Sequence, residues 1–132
     1  MAKQRIHIEY PLSTKSPNIV WDLISTDHGM KRWIADQVEE QDGILSFTWG
    51  EEWAEHHTLK ANLLEREKYS HIRMQWEEDA DTEAFWEMRI GRSEVTNQLC
   101  LFVTDYAPED ELEDLRGLWD SNLERLHESS GL

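Results

Sequence analysis

The adjacent histidines His56 and His57 have side chains that bind metals or transfer protons in many proteins. They begin a run of alternating polar and apolar residues, which predicts a β-strand. Adjacent side chains of a strand point to opposite faces, so this pair is not placed to chelate one ion. His57 shares a face with Leu59 and Ala61, which predicts that it points inward. A single inward histidine is more often a hydrogen-bonded core residue than an acid–base catalyst.

Charged residues alternate with apolar ones in the segment 86–90, where Glu87 and Arg89 share one face of a predicted strand. We expect them to form cross-strand ion pairs on the outer face. The opposite orientation would place Phe85, Glu87 and Arg89 inward, where an arginine can bind a ligand carboxylate. His71 alternates with apolar residues on its own strand and is predicted to face outward.

Seven tryptophans in 132 residues are several times the ordinary usage. An indole carries one polar N–H on a large apolar body, which suits either a packed core or the wall of a site for an amphipathic ligand. Trp21 and Trp119 are predicted to fill the core, whereas either role fits Trp76 and Trp86.

Three further tryptophans have a position suited to a site entrance. Trp33 is expected to lie on the second short helix and to narrow the opening. Trp49 and Trp53 flank the turn at 50–52, so they either line the site or form an exposed hairpin tip that gates it or contacts a partner.

The charge balance excludes several classes of function. With 13 basic and 28 acidic residues the net charge is −15, which repels nucleic acid and anionic lipid. No apolar run approaches the roughly 20 residues that cross a bilayer, so membrane insertion is not expected. The N-terminus has no apolar segment of the kind found in secretion signals, which predicts a cytoplasmic protein. Neither a Cys/His cluster nor a Gly-rich phosphate loop is present, so we predict no metal and no cofactor.

The hydrophobic pattern predicts an α+β chain that forms a single domain over residues 1–132. Two short helices begin at Pro17 and after Thr26, and a long helix begins after Pro108. The long helix has an apolar stripe formed by Leu112, Leu115, Trp119, Leu123 and Leu126. Strands are predicted at 6–10, 37–40, 44–49, 53–64, 69–77, 82–90 and 96–106, the last six as an antiparallel meander with a turn at Asp42-Gly43 and another at 91–94.

Two segments resemble a known family. The stretch from Ser16 to Trp33 contains a Ser-Pro pair, Val20-Trp21, Thr26-Asp27 and a final Trp, and the stretch from Leu118 to Leu126 contains Trp119, Leu123 and Leu126. Both are similar to START-like proteins, especially the branch of activator of heat-shock-protein ATPase homologues. The resemblance implies a helix-grip fold, in which a curved antiparallel sheet wraps around a long C-terminal helix with a cavity between them.

The resemblance also implies a function, namely binding of a hydrophobic small molecule, lipid-like or polyketide-like, in that cavity. Two alternatives remain: an interaction module, chaperone-associated or homodimeric, that acts through its acidic surface, and a cyclase or hydrolase that uses His57. The residues predicted to line the cavity are Trp33, Phe47, Trp49, His57, Leu59, Met74, Trp76, Trp86, Met88, Leu101, Leu115 and Trp119.

Overall fold

A computed structural model describes residues 3–50 and 55–132 of the protein. Its strands are β1 (Gln4–Pro11), β2 (Gln37–Gln41), β3 (Ile44–Gly50), β4 (His56–Glu67), β5 (His71–Trp76), β6 (Trp86–Arg92) and β7 (Leu99–Ala107). Its helices are α1 (Pro17–Ser25), α2 (Asp27–Met30) and α3 (Leu112–Ser130). The curved sheet, the two short helices after the first strand and the long C-terminal helix confirm the predicted helix-grip α+β fold.

The seven strands form one antiparallel sheet in the order β1-β7-β6-β5-β4-β3-β2. After β1 the chain passes through α1 and α2 to the far edge of the sheet and then returns strand by strand. The predicted hairpin at Asp42-Gly43 is confirmed, because both residues have positive φ angles, 53° and 79°. Those angles belong to the turns whose twist matches that of the flanking strands, and they favour glycine at the second position.

Local sequence signals determine where the helices begin. Pro17 is the first residue of α1, as predicted, although the Ser16 side chain makes no capping hydrogen bond. The Thr26 hydroxyl caps α2 by accepting a hydrogen bond from the Gly29 N–H at 2.8 Å. Gly29 also allows the two helices to approach closely, since a Cβ there would lie 2.0 Å from the Asp22 carbonyl oxygen.

The core lies between the sheet and α3. The alternating apolar residues of β5, β6 and β7 form its floor, and the α3 stripe covers them with Trp119, Leu123 and Leu126, each at most 3% exposed. This packing matches the expectation that α3 lies along the concave face. It leaves an incompletely filled space near the middle of the helix, which forms the candidate site.

Some predicted boundaries were wrong. Residues 82–85 were predicted as strand but are not part of β6, because their carbonyl groups bond to a side chain instead. The Gln75 amide donates to the Thr82 and Ala84 carbonyl oxygens at 3.2 and 2.9 Å. The turn predicted at 91–94 lies later, because β6 continues through Arg92. The predicted start of the fourth strand at Trp53 lies outside the described residues.

Candidate functional site

A cavity of about 360 Å³ lies between the sheet and α3. Most of its wall is apolar, with aromatic rings on the sheet side and leucines on the helix side. Eleven described residues line it: Ile34, Trp49, His57, Leu59, Trp76, Trp86, Asp105, Leu115, Leu118, Trp119 and Asn122.

The sheet side of the cavity is a continuous cluster of indole rings. Trp76 and Trp86 stack at 5.2 Å between ring centroids, and Trp49 lies 6.4 Å from Trp76. Trp119 approaches from α3, with its ring centroid 6.1 Å from that of Trp86. Phe47 packs edge-on beneath this cluster, 5.4 Å from Trp86. Such contacts add to simple burial and hold the rings in fixed positions.

Two of these indoles differ in how their N–H groups are satisfied. The Trp49 Nε1–H donates to the Ile34 carbonyl oxygen at 3.1 Å. The Trp86 Nε1–H is buried and has no acceptor within the part of the chain that the structure describes. A buried donor without an acceptor is uncommon in folded proteins, so the Trp86 indole retains unused hydrogen-bonding capacity beside the cavity.

Among the described residues of the cavity wall, Asp105 is the one that carries a carboxylate, and it is 8% exposed. Its Oδ2 accepts a hydrogen bond from Trp119 Nε1 at 2.8 Å, and its Oδ1 accepts one from the Tyr106 backbone N–H at 2.7 Å. Burial raises the pKa of the Asp105 carboxyl to about 6, although both hydrogen bonds and the charge of Lys3 act to lower it. Lys3 itself is bonded to Asp79, with 2.7 Å between Nζ and Oδ1.

The remaining polar groups of the wall lie at its edge and on α3. His57 was predicted to be an inward core residue, but it is exposed, and its ring stacks on Trp49 at 5.2 Å. It borders the cavity at the surface instead of lying inside the core, because β4 is exposed over this part of its length. On α3, Asn122 is buried, and its Oδ1 accepts a hydrogen bond from Arg125.

Seven of the twelve residues predicted to line the cavity do border it: Trp49, His57, Leu59, Trp76, Trp86, Leu115 and Trp119. The other five lie beneath the wall in the core, each at most 1% exposed: Trp33, Phe47, Met74, Met88 and Leu101. The expected position of Trp33 at the entrance was wrong. Its indole is buried, and its Nε1–H donates to the Leu23 carbonyl oxygen at 2.9 Å.

The predictions that Trp119 and Trp21 fill the core had different outcomes. Trp119 is buried in the core as expected, and it also borders the cavity. Trp21 is only partly buried and packs against the outside of the core, with its ring edge-on to Tyr69 at 6.5 Å. Trp21 therefore lies away from the cavity, and Trp53 lies outside the described residues.

Asp105 and Asn122 were not predicted from the sequence, although each continues a pattern. Asp105 follows Leu101 and Val103 at a spacing of two along β7, so it shares their inward face. Asn122 lies three residues after Trp119 on the buried side of α3. A polar residue that continues an apolar pattern is the signal that would have identified both.

The convex face carries the ion pairs predicted for β6. Glu87 binds Arg73 on the neighbouring strand at 2.8 Å, which confirms the outward orientation. Burial acts to raise the pKa of Glu87, but hydrogen bonds from Arg73 and Arg89 hold it below its usual value. His71 is on this face but is 6% exposed, and the carboxylates of Glu65 and Glu67 lie 3.0 and 4.0 Å from its ring nitrogens. Its Nε2–H donates to Glu65 at 3.0 Å, and this bond is the main cause of the lowered pKa of Glu65.

A curved antiparallel sheet closed by a long helix over an apolar cavity defines a helix-grip protein. The family comparison gives the same result, since the profile of the START-like superfamily domain matches residues 1–132. The chain belongs to the START-like superfamily. No curated protein matches it.

Solved structures extend the comparison. The solution structure of BfR322 from Bacteroides fragilis is 35% identical, covers 97% of this chain and 91% of its own, and has a TM-score of 0.62. Two more distant structures share the fold. NE0264 from Nitrosomonas europaea has 10% identity, coverage of 94% and 92%, and a TM-score of 0.71. The Aha1 dimer from Colwellia psychrerythraea has 14% identity, coverage of 96% and 93%, and a TM-score of 0.63.

Within 3–50 and 55–132, no helix is long and apolar enough to cross a bilayer. Across the same ranges, no group of three His, Cys, Asp or Glu side chains is placed to hold a metal ion.

Proposed function

We propose that this protein binds one small, largely apolar molecule in the cavity between the sheet and α3. The cavity itself is the observation that carries this proposal. The cavity has a mostly apolar wall and a volume of about 360 Å³. It falls in the range of about 300 to 1,000 Å³ that is typical of small-molecule sites.

The composition of the wall indicates the kind of molecule. Among the described residues of the wall, four indoles and four aliphatic side chains provide most of the surface, and only His57, Asp105 and Asn122 have strongly polar side chains. A mostly apolar wall with a few fixed polar groups favours a ligand with a hydrophobic body and one polar end. Lipid-like and polyketide-like molecules both meet this description.

Two exposed leucines support an opening between the sheet and the helix. Leu59 on β4 is 40% exposed and Leu118 on α3 is 49% exposed, and both border the cavity. Exposed apolar side chains at the edge of an apolar cavity favour entry of a hydrophobic ligand along this line.

Binding of the neutral fluorescent probe N-phenylnaphthylamine tests the proposal. We expect its emission to rise saturably with one site per chain and a dissociation constant on the order of micromolar. Trp76→Ala is expected to weaken binding at least about threefold, because the probe loses contact with one indole of the wall.

Trp21→Ala is the matched control for that experiment. It removes the same side chain from outside the cavity, so we expect a lower unfolding midpoint with an unchanged dissociation constant. A fluorescence increase that does not saturate, or an equal loss of affinity in both variants, would contradict the proposal.

A further inference from the structure

Asp105 places a carboxylate in the wall of the cavity, and no cation among the described residues pairs with it. Both of its described hydrogen-bond donors are uncharged N–H groups, one from Trp119 and one from Tyr106. Within residues 3–50 and 55–132, Asp105 forms no ion pair at 4 Å or less. An unpaired buried charge is costly, so its position in a binding cavity calls for a ligand that compensates it.

The cations of the protein near this region are already engaged. The charge of Lys3 lowers the pKa of Asp105 without an ion pair between them, since the ammonium group of Lys3 is bonded to Asp79. Arg125 donates to Asn122. None of the described residues that line the cavity is lysine or arginine. A carboxylate oxygen accepts two hydrogen bonds, so each oxygen of Asp105 can accept one more from a ligand.

We propose that the ligand of this cavity carries a protonated amine that donates to Asp105 while its apolar body lies against the tryptophans. The inference rests on the proposed function and specifies the polar end of the ligand. Indole rings bordering the site support it, because the faces of aromatic rings attract cations. The resulting ion pair would be shielded from water, and charge-assisted hydrogen bonds of this kind are stronger than neutral ones.

The net charge of the whole chain also favours a cationic ligand. A net charge of −15 attracts cationic ligands and repels anionic ones before they reach the cavity. With its pKa raised to about 6, Asp105 is mostly ionised at neutral pH and becomes protonated as the pH falls toward 5. Among the described residues, the other charged or ionisable groups near the site are Lys3, Asp79, Arg125 and His57.

Three probes of matched shape test the inference by displacing N-phenylnaphthylamine. They are naphthylethylamine, which is a cation, propylnaphthalene, which is neutral, and naphthaleneacetate, which is a carboxylate anion. We expect the cation to bind about tenfold more tightly than the neutral probe at neutral pH, and the anion to bind most weakly. The advantage of the cation should shrink between about pH 7.5 and about pH 5, as Asp105 takes up a proton.

Two variants separate Asp105 from the general acidity of the surface and from His57. In Asp105→Asn the advantage of the cation should fall below about threefold and lose its pH dependence, while the neutral probe still binds. Asp110→Asn removes the same charge from an exposed position just before α3, so it should leave the advantage of the cation unchanged. Binding of the neutral probe to Asp105→Asn also shows that the variant is folded.

The outcomes distinguish the two proposals. If the neutral probe binds and the cation has no advantage, the inference about the amine fails and the proposed function stands. If both variants lower the advantage of the cation equally, the effect comes from the general field of the protein and the role of Asp105 is rejected. If N-phenylnaphthylamine itself shows no saturable binding, the proposed function fails, and if it binds but none of the three probes displaces it, the inference about the amine fails. Should Asp105→Asn not fold, a pH-independent advantage in the unmodified protein overturns the inference.

Discussion

Trp119→Ala is expected to lower the free energy of unfolding by about 3 to 5 kcal/mol, as large-to-small changes in a core do. Trp119 is 3% exposed, and its ring centroid lies 6.1 Å from those of both Trp33 and Trp86. Its removal would eliminate these contacts and leave Asp105 without one of its two N–H donors. Urea denaturation followed by circular dichroism measures the change.

Leu118→Ala is the control for Trp119→Ala, because Leu118 is the preceding residue on α3 and is 49% exposed. We expect it to cost less than about 1 kcal/mol. Equal costs for the two variants, or a cost below about 1 kcal/mol for Trp119→Ala, would contradict the packing of α3 against the sheet.

Stability is expected to increase as the pH falls from 7 to 5. Burial raises the pKa of Asp105 from 3.8 to about 6, so the folded protein takes up a proton that the unfolded chain does not yet bind. A group of this kind adds stability on acidification, and the gain is complete only below the unfolded pKa. The full gain is about 3 kcal/mol, of which about half is reached by pH 5.

Asp105→Asn separates this contribution from the general relief of charge repulsion. The variant should lose about 1 kcal/mol or more of the increase between pH 7 and pH 5, whereas Asp110→Asn should retain it. The lowered pKa values of Glu65 and Glu87 reflect stabilising interactions that are lost mainly as the pH falls below their usual value of 4.5, so they do not dominate in this range. Identical pH profiles for Asp105→Asn and the unmodified protein would show that Asp105 does not ionise in a buried environment.

The elements that follow from local signals were predictable. Proline at the start of α1, the Thr26 cap of α2, the Asp42-Gly43 turn and the apolar stripe of α3 each depend on residues close together in the sequence. The alternation in β5, β6 and β7 gave the inward face for the same reason. Together with the resemblance, these signals were enough to predict the helix-grip fold.

The depth of each residue was not predictable in the same way. Trp33 lies in the turn after α2 and Trp49 lies on β3, yet of the two only Trp49 borders the cavity, because the Trp33 indole bonds to α1. The alternation of polar and apolar residues predicted the side of the sheet on which His71 lies. It did not predict that His71 would be only 6% exposed there. Such differences depend on contacts between distant parts of the chain, which a linear pattern does not contain.

The central claim is that one apolar molecule binds between the sheet and α3, and the indole N–H signals in a ¹H–¹⁵N NMR spectrum test it most directly. On titration with N-phenylnaphthylamine, the signals of Trp49, Trp76, Trp86 and Trp119 should shift saturably with a single dissociation constant, and that of Trp21 should remain in place. If Trp21 shifts while the four cavity indoles do not, or if no indole shifts as the probe binds, the molecule binds elsewhere and the account is wrong.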